Sequence, residues 1–357
     1  MSEVIPVAVI GCGHLGTFHA RLYGELPEAK LEAVVDLLPD RARTLGESVG
    51  AAAVTDLADV LPQVRAVSIA TPTSTHHEVA RRCLEAGVSC LVEKPICETT
   101  SEGEDLIRLA RERGLVLAVG HTERFNPAFA AVRSAVTAPR FVESHRLAPF
   151  VARSLDVDVV LDLMIHDLDL TLSLVAAPVE SVDAVGVPVL TPGADIANAR
   201  IRFADGAVAN LTASRVSRDR VRKIRFFGPR QYHSLDLATG SVERAVLRAL
   251  PAGDDPSASG TVSGFGAGGA LPPGDAALAA YLAARHLELD YGEVPVVSGN
   301  ALLEELRDFL GTVGGGGPLT GADGAAGLRS LELAQRIRRE VARSLERLGV
   351  SSPTASA

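Results

Sequence analysis

The sequence predicts two domains of different class. Residues 1–121 read as an α/β domain on a doubly wound parallel sheet, and residues 122–357 as an α+β domain with a large, mainly antiparallel open sheet. Three observations support this. A chain of 357 residues fills two domains at about 100–200 residues each. Its first third alternates short apolar runs with helical patterns, the mark of strand–helix–strand units. Beyond that third, alternating segments follow one another with turn signals and no helix between them, which implies antiparallel neighbours.

In the first domain, strands are predicted at Val7–Ile10, Leu31–Asp36, Ala66–Ala70, Ser89–Glu93 and Leu115–Gly120. Each is a nearly continuous apolar run, as expected of parallel strands covered on both faces. Helices are predicted at Thr17–Gly24, His76–Ala86 and Ser101–Arg113, and right-handed crossovers through them favour double winding. After Gly120 the character changes. Asn126–Ala135 reads as a helix, Arg140–Leu147 as a strand and Val159–Val175 as a long, mostly apolar helix. Several strands follow between Val179 and Leu247, with turn signals at 204–206 and 238–240. Residues 251–275 are rich in Gly, Ala, Pro and Ser and read as a flexible loop within the domain, because ordered patterns resume at Tyr281. Asn300–Leu310 and Leu328–Arg347 read as helices, and residues 351–357 as a disordered tail.

Hydrophobic residues make up 47% of the chain, enough for large cores. The formal net charge of −9 argues against a nucleic-acid partner, which selects a basic surface, and against docking on an anionic membrane. No run of about 18 uninterrupted apolar residues suggests a membrane span, and the N-terminus lacks the basic stretch of a signal peptide. The four cysteines, Cys12, Cys83, Cys90 and Cys97, form no Cys-x-x-Cys pair and read as reduced thiols of a cytoplasmic protein. No metal site is expected.

The first strand runs into Gly11-Cys12-Gly13-His14-Leu15-Gly16 and then a helix. In this GxGxxG pattern Gly11 permits a tight turn, Gly13 lets the backbone approach a diphosphate, and Gly16 allows close helix–strand packing. The helix N-terminus adds free N–H groups and a positive dipole end. The pattern alone is weak in a chain with 33 glycines. It gains weight from Asp36, which ends the next strand 20 positions after Gly16, where a carboxylate accepts bonds from an adenosine ribose. Together they predict a dinucleotide-binding Rossmann domain. Asp36 repels a 2′-phosphate, and residues 37–39 are Leu, Leu and Pro, so NAD is favoured over NADP. Arg41 and Arg43 lie close by, either opposing that choice or standing as solvated helix residues.

Two further motifs sit at carboxyl ends of predicted parallel strands, the edge where open α/β sheets bind ligands. Thr71, Pro72 and His76 follow the strand at 66–70, and Glu93-Lys94-Pro95 ends the strand at 89–93 and its turn. A third lies in the long helix, where Asp162 and His166, four apart, share one face. These residue types suit alcohol oxidation. Histidine ordinarily titrates near the working pH, as a general base toward a hydroxyl should. Asp162 can orient the imidazole and stabilise its protonated form, and Asp169, three residues beyond His166, competes for that role. Lys94 can donate to the reacting oxygen. Hydride acceptance belongs to the nicotinamide. His121 and His145 read as structural.

With these motifs in view, the chain resembles the Gfo/Idh/MocA oxidoreductase family over nearly its whole length. The nucleotide pattern is shared by many families. Its combination with Glu-Lys-Pro and a later Asp-x-x-x-His is much more specific. The resemblance implies an NAD-dependent dehydrogenase acting on a sugar-like CH–OH group. It implies that Lys94, Asp162 and His166 surround the nicotinamide and the substrate hydroxyl. Thr71, Pro72, His76 and Glu93 would line the cofactor, together with Gly11, Gly13, His14, Leu15, Gly16 and Asp36. A cis Lys94–Pro95 bond and a homo-oligomer are implied as well.

Residues 120–128, 153–160, 162–169 and 222–228 further resemble one branch of that family, the UDP-N-acetylglucosamine 3-dehydrogenases. These oxidise the sugar 3-hydroxyl ahead of an aminotransferase in lipid A biosynthesis. The likeness implies a sugar-nucleotide substrate. Arg124 and Arg153 are then candidates for its diphosphate, with salt bridges as the alternative. Asn126 is a candidate for sugar hydroxyls, with N-capping of a helix beginning at Pro127 as the alternative. The competing functions are another sugar or polyol dehydrogenase, of inositol or glucose type, and a non-catalytic NAD-binding regulator. Intact Lys94, Asp162 and His166 argue against the regulator.

Overall fold

The computed structural model describes residues 3–151, 158–250, 262–263, 276–347 and 349. The chain divides into two compact units, one of Met1–Phe125 with Gly299–Gln335 and one of Asn126–Ser298 with Arg336–Ala357.

The first unit opens with strands β1 (Ile5–Ile10), β2 (Ala29–Val35), β3 (Ala52–Val54), β4 (Ala66–Ile69), β5 (Ser89–Glu93) and β6 (Leu117–Gly120). Helices α1 (His14–Tyr23), α2 (Pro39–Val49), α3 (His76–Glu85) and α4 (Thr100–Arg113) lie between them in sequence. The strands are parallel, in the order β6-β5-β4-β1-β2-β3. β4 and β5 are buried at every position, which accounts for their unbroken apolar character. β3 is not among the predicted strands, because Ala-Ala-Val is too short to show a period. α4 starts on a capping box of Thr99 and Glu102 and stops at Gly114, which adopts φ +64°. β1 pairs with β4 rather than with a strand next to it in sequence only on one side. The winding reverses there, and the crevice at the strands' carboxyl ends opens at that point.

The second unit begins with α5 (Pro127–Val132), β7 (Phe141–Leu147) and α6 (Ile165–Leu174). Strands β8 (Val179–Val187), β9 (Ile196–Phe203), β10 (Val208–Ser214), β11 (Val221–Gly228), β12 (Gln231–Asp236) and β13 (Ser241–Ala249) follow. Then come β14 (Val262–Ser263), α7 (Ala276–Ala283) and β15 (Leu287–Glu293). They form a nine-stranded sheet in the order β14-β15-β13-β12-β11-β7-β10-β9-β8. Most pairs are antiparallel, but the central β7–β10 pair is parallel. The two are not joined by a hairpin, since β8 and β9 intervene, so nothing forces them to run in opposite directions. Alternate residues of β7 are buried, Val142, Ser144 and Arg146, and α6 packs on that face. Apart from β14, the stretch 251–275 lies outside the described residues, as does the tail 351–357.

After β15 the chain returns to the first unit through α8 (Ala301–Val313) and β16 (Ala322–Asp323). The last helix, α9 (Gly324–Arg347), belongs to the first unit up to Gln335 and to the second from Arg336. α8 is capped by Asn300, whose side chain accepts from Leu302 N and Leu303 N. Its inward residues Leu306, Phe309 and Leu310 share one core with Ile5, Val7, Val9 and Tyr23. β16 adds a seventh, antiparallel strand beside β6. The reading of 122–357 as one domain therefore needs correction for residues 299–335, which complete the apolar core of the first unit. Among the described residues no helix is long and apolar enough to cross a membrane.

Candidate active site

The three glycines of the first loop serve three ends. Gly11 adopts φ +96°, and a Cβ there would lie 2.5 Å from the Ala70 carbonyl oxygen. At Gly16 a Cβ would lie 1.7 Å from the Gly11 carbonyl oxygen, so only glycine lets α1 seat on the loop. A Cβ at Gly13 would meet nothing within 4 Å. The space before the helix N-terminus is thus open, and the first-turn N–H groups of His14, Leu15 and Gly16 suit a diphosphate there. The side chains of His14 and Leu15 are exposed, and the His14 ring stands edge-on to Phe18 at 4.9 Å.

Asp36 follows β2, and its carboxylate is tied to the same loop. Oδ2 accepts from Cys12 N at 2.9 Å and Oδ1 from Leu38 N at 2.9 Å. Each oxygen keeps a lone pair for a ribose hydroxyl. Burial, and then the Asp36 carboxylate, push the Cys12 thiol up to about 12, so Cys12 presents its N–H and not a thiolate. Arg43 pairs with Asp40 at 2.7 Å and Arg41 is exposed, both on α2. These residues fit NAD: Gly11–Gly16 would hold the diphosphate and Asp36 the ribose.

The turns after β4 and β5 complete this edge of the sheet. Thr71 is half-buried and its hydroxyl accepts from Thr75 Oγ1 at 2.8 Å, while Pro72 is exposed. His76 is buried, with Nδ1 2.9 Å from the Pro95 carbonyl and Nε2 3.0 Å from the Thr71 carbonyl. Burial lowers its pKa against the pull of those carbonyls. Burial favours the neutral ring, which donates its one N–H to one of these two carbonyls, and in this position His76 links the turn after β4 to the turn after β5. The Lys94–Pro95 bond is cis. Lys94 is half-buried, and Glu93 behind it is buried, accepting from His19 Nε2 at 2.9 Å and from Lys94 N at 3.3 Å. Burial pushes the Glu93 carboxyl up, but the His19 bond and the charges of His19 and Lys94 outweigh it and hold it below the usual range. His19 was not a predicted site residue. Its only signal is a polar side chain on the inward stripe of α1, with Gly16, Ala20 and Tyr23.

In the second unit, Asp162 and His166 sit where the long helix changes pitch. Residues Val160–Met164 form a π-turn before α6 begins at Ile165. Asp158 caps this turn, its Oδ1 accepting from Val160 N at 2.9 Å and Leu161 N at 3.1 Å. The sequence predicts the helix but not the extra residue per turn, a device common at functional sites. Asp162 and His166 are half-buried, whereas Met164, Ile165, Asp167, Leu168 and Asp169 are buried, so the pair occupies the accessible stripe. Asp169, the rival orienting group, is 1% exposed.

Asp167 anchors the helix. Arg146 on β7 donates to it from Nε at 3.0 Å and from Nη2 at 2.8 Å, in a pair whose side chains are 4% and 3% exposed. Removing one partner strands a buried charge. Arg146→Met is therefore expected to destabilise the protein by about 3–5 kcal/mol. Urea unfolding would measure it, and a loss under about 1 kcal/mol, the worth of an exposed pair, would contradict it.

The substrate candidates fare differently. Arg124 is half-buried and donates from Nη1 to the Gly321 carbonyl at 3.1 Å, within the first unit. Asn126 is the N-cap of α5, with Oδ1 accepting from Ala128 N at 3.0 Å and Nδ2 donating to the Leu237 carbonyl at 3.0 Å. Both ends of its amide make bonds inside the second unit, and the cap is the alternative that the structure shows. Arg153 lies outside the described residues.

Comparison with known proteins extends these observations. Residues 5–121 match the model of the oxidoreductase family with an NAD-binding Rossmann fold, and residues 130–232 that of the GFO/IDH/MocA C-terminal domain. The UDP-N-acetylglucosamine 3-dehydrogenase of Acidithiobacillus ferrooxidans is 42% identical over 340 residues, covering 95% of this chain and 98% of that one. Its solved structure aligns with a TM-score of 0.81 at 38% identity, over 96% of this chain and 99% of that one. The scyllo-inositol 2-dehydrogenase (NAD(+)) of Bacillus subtilis is 31% identical over 61% of this chain and 69% of its own. With the phosphate loop, Asp36 and the Lys94 turn on one sheet edge and likeness running the length of both units, this chain belongs to the Gfo/Idh/MocA family of NAD-binding oxidoreductases.

Proposed function

We propose that this enzyme oxidises the 3-hydroxyl of UDP-N-acetylglucosamine with NAD, giving the 3-keto sugar nucleotide. The supporting observation is likeness to the Acidithiobacillus enzyme across 95% of this chain, where the inositol-type relative matches 61%. NAD, when bound, accepts the hydride from the carbon that bears the hydroxyl. His166 takes the hydroxyl proton, so that C–H and O–H are exchanged for C=O. Asp162 orients the ring and favours its protonated form. Lys94 donates a hydrogen bond to the oxygen as negative charge grows on it. Arg124 and Arg153 are the proposed diphosphate contacts. The keto product suits a following amine transfer, as in lipid A biosynthesis. Four buried, unpaired cysteines fit a reducing, cytoplasmic setting.

Thermal unfolding in the presence of NAD tests the substrate. UDP-N-acetylglucosamine is expected to raise the Tm, and free N-acetylglucosamine or inositol to raise it less, because binding to the native state stabilises it. A shift with inositol and none with the UDP-sugar would replace this reading with an inositol-type dehydrogenase.

A homo-oligomer is also proposed, through the sheet face opposite α6. Across it run Val208, Phe141, Phe227, Tyr232, Ala245 and Tyr291 in register. The Phe227 ring lies 5.5 Å from Phe141 and 5.0 Å from Tyr232. Light scattering is expected to show a multimer that Phe227→Glu weakens. A monomeric wild-type protein would overturn the proposal.

A further inference from the structure

We propose that His19 is a positioning residue for the oxidation, acting through Glu93 to hold Lys94 aimed at the reacting oxygen. The inference rests on the reading of Lys94 as the hydrogen-bond donor to that oxygen.

His19 lies on α1, six positions after Gly13, and is 0% exposed. A carboxylate only accepts, so the 2.9 Å contact with Glu93 Oε1 means that His19 Nε2 donates. The second carboxylate oxygen accepts the backbone N–H of Lys94 at 3.3 Å. One buried carboxylate thus joins the helix that begins at the phosphate loop to the backbone of the reactive lysine, across 74 residues of sequence. Space for it is made by β6, where a Cβ on Gly120 would lie 3.1 Å from the Glu93 carboxyl carbon.

The other histidine nitrogen, Nδ1, is buried without a hydrogen-bond partner among the described residues. A side chain chosen only to fill the core would avoid that cost, because an apolar residue leaves no polar atom unpaired. What the histidine supplies is a donor for Oε1. With it, Glu93 stays ionised with an N–H on each oxygen, and its negative charge stands beside Lys94. Without it, the carboxylate has two ways to regain a partner. It can take up a proton, or it can turn to the Lys94 ammonium and draw it off the substrate. Both weaken the donor at the reacting oxygen.

Among the described residues, the charged and titratable groups acting on Glu93 include His19 from α1, Lys94 from its own turn and His76 from α3, while β6 presents Gly120. Loss of His19 removes the hydrogen bond that pulls the Glu93 carboxyl down against burial. Its pKa then rises, and the ionised form is lost as pH falls through the raised value.

Steady-state kinetics with NAD and UDP-N-acetylglucosamine, from acid to neutral pH, test this. His19→Leu is expected to lower kcat about 10–100-fold, the effect of a reactive group displaced by about an ångström. KM for the sugar nucleotide and the affinity for NAD should hold within about twofold, because no binding contact is removed. The acid side of its kcat profile should steepen, since a second group must now be ionised. His19→Gln, whose amide N–H reaches the same oxygen, should restore kcat to within about threefold and return the shallower slope. A folded His19→Leu with normal kcat and slope would overturn the proposal, as would a His19→Gln no better than His19→Leu. If His19→Leu does not fold, His19→Asn replaces it, carrying the same amide on an arm too short to reach. Equal turnover for the Asn and Gln variants would then overturn the proposal. Lys94→Ala separates the two readings. If it keeps its turnover, the role of Lys94 itself fails. If it loses turnover while His19→Leu keeps it, only the present inference fails.

Discussion

His166→Ala is expected to lower turnover by about 10²–10⁴-fold, the usual worth of a positioned general base. The base acts only as the hydroxyl proton leaves, so kcat and kcat/KM should fall together. NAD affinity should change little, because the groups proposed to bind it are the Gly11–Gly16 loop and Asp36. A base must be unprotonated, so wild-type activity should decline toward acid pH, and the variant should lose that dependence on His166. Asp162→Asn should be milder than His166→Ala, since an amide still offers the ring an acceptor. Both residues lie on the half-buried stripe created by the Val160–Met164 π-turn. The deciding measurement is pre-steady-state hydride transfer by His166→Ala saturated with NAD and sugar nucleotide. A normal rate there would show that another group takes the proton.

Lys94→Ala is expected to cost about 10²–10³-fold in kcat, as does loss of a donor aimed at developing negative charge. The lysine is half-buried and stands directly after the buried Glu93. Chemistry should become the slow step, and a substrate deuterated at C3 should then show a primary isotope effect in single turnover. A loss below about tenfold would mean that Lys94 orients ligands without stabilising the charge on oxygen. Lys94→Arg should recover little, because a planar fork on a longer arm does not put one N–H where the ammonium was.

Much of the cofactor half was legible in the chain because its signals are local. Gly11, Gly13 and Gly16 mark one turn, and Asp36 marks the end of the next strand. The structure assigns each glycine the clearance that its spacing implied. Local patterns also marked the helices at Ser101–Arg113 and Asn300–Leu310, whose caps at Thr99 and Asn300 the structure added. They were ambiguous where one residue type serves two ends. Asn126 offers the same amide to a helix N-terminus or to a sugar, and the bond to Leu237 is a partner that no local pattern announced. His76 follows a cofactor-facing turn in sequence, yet the Pro95 carbonyl, 19 residues on, claims its ring.

By itself, then, the sequence determined five of the parallel strands of the first unit, the glycine loop after the first of them and the NAD-binding Rossmann class. Each depends on residues within a few positions of one another, where period, capping and glycine clearance act directly. Tertiary structure alone decided that residues 299–335 return to the first unit, that β7 pairs in parallel with β10, and that Arg146 meets Asp167 and His19 meets Glu93. These are meetings between faces. The apolar stripe of α8 could be read from its period, but not that Ile5, Val7 and Val9 were the surface awaiting it. A polar side chain on an inward face announces that it needs a partner. Which partner it finds depends on the elements packed against that face, and no local pattern encodes them.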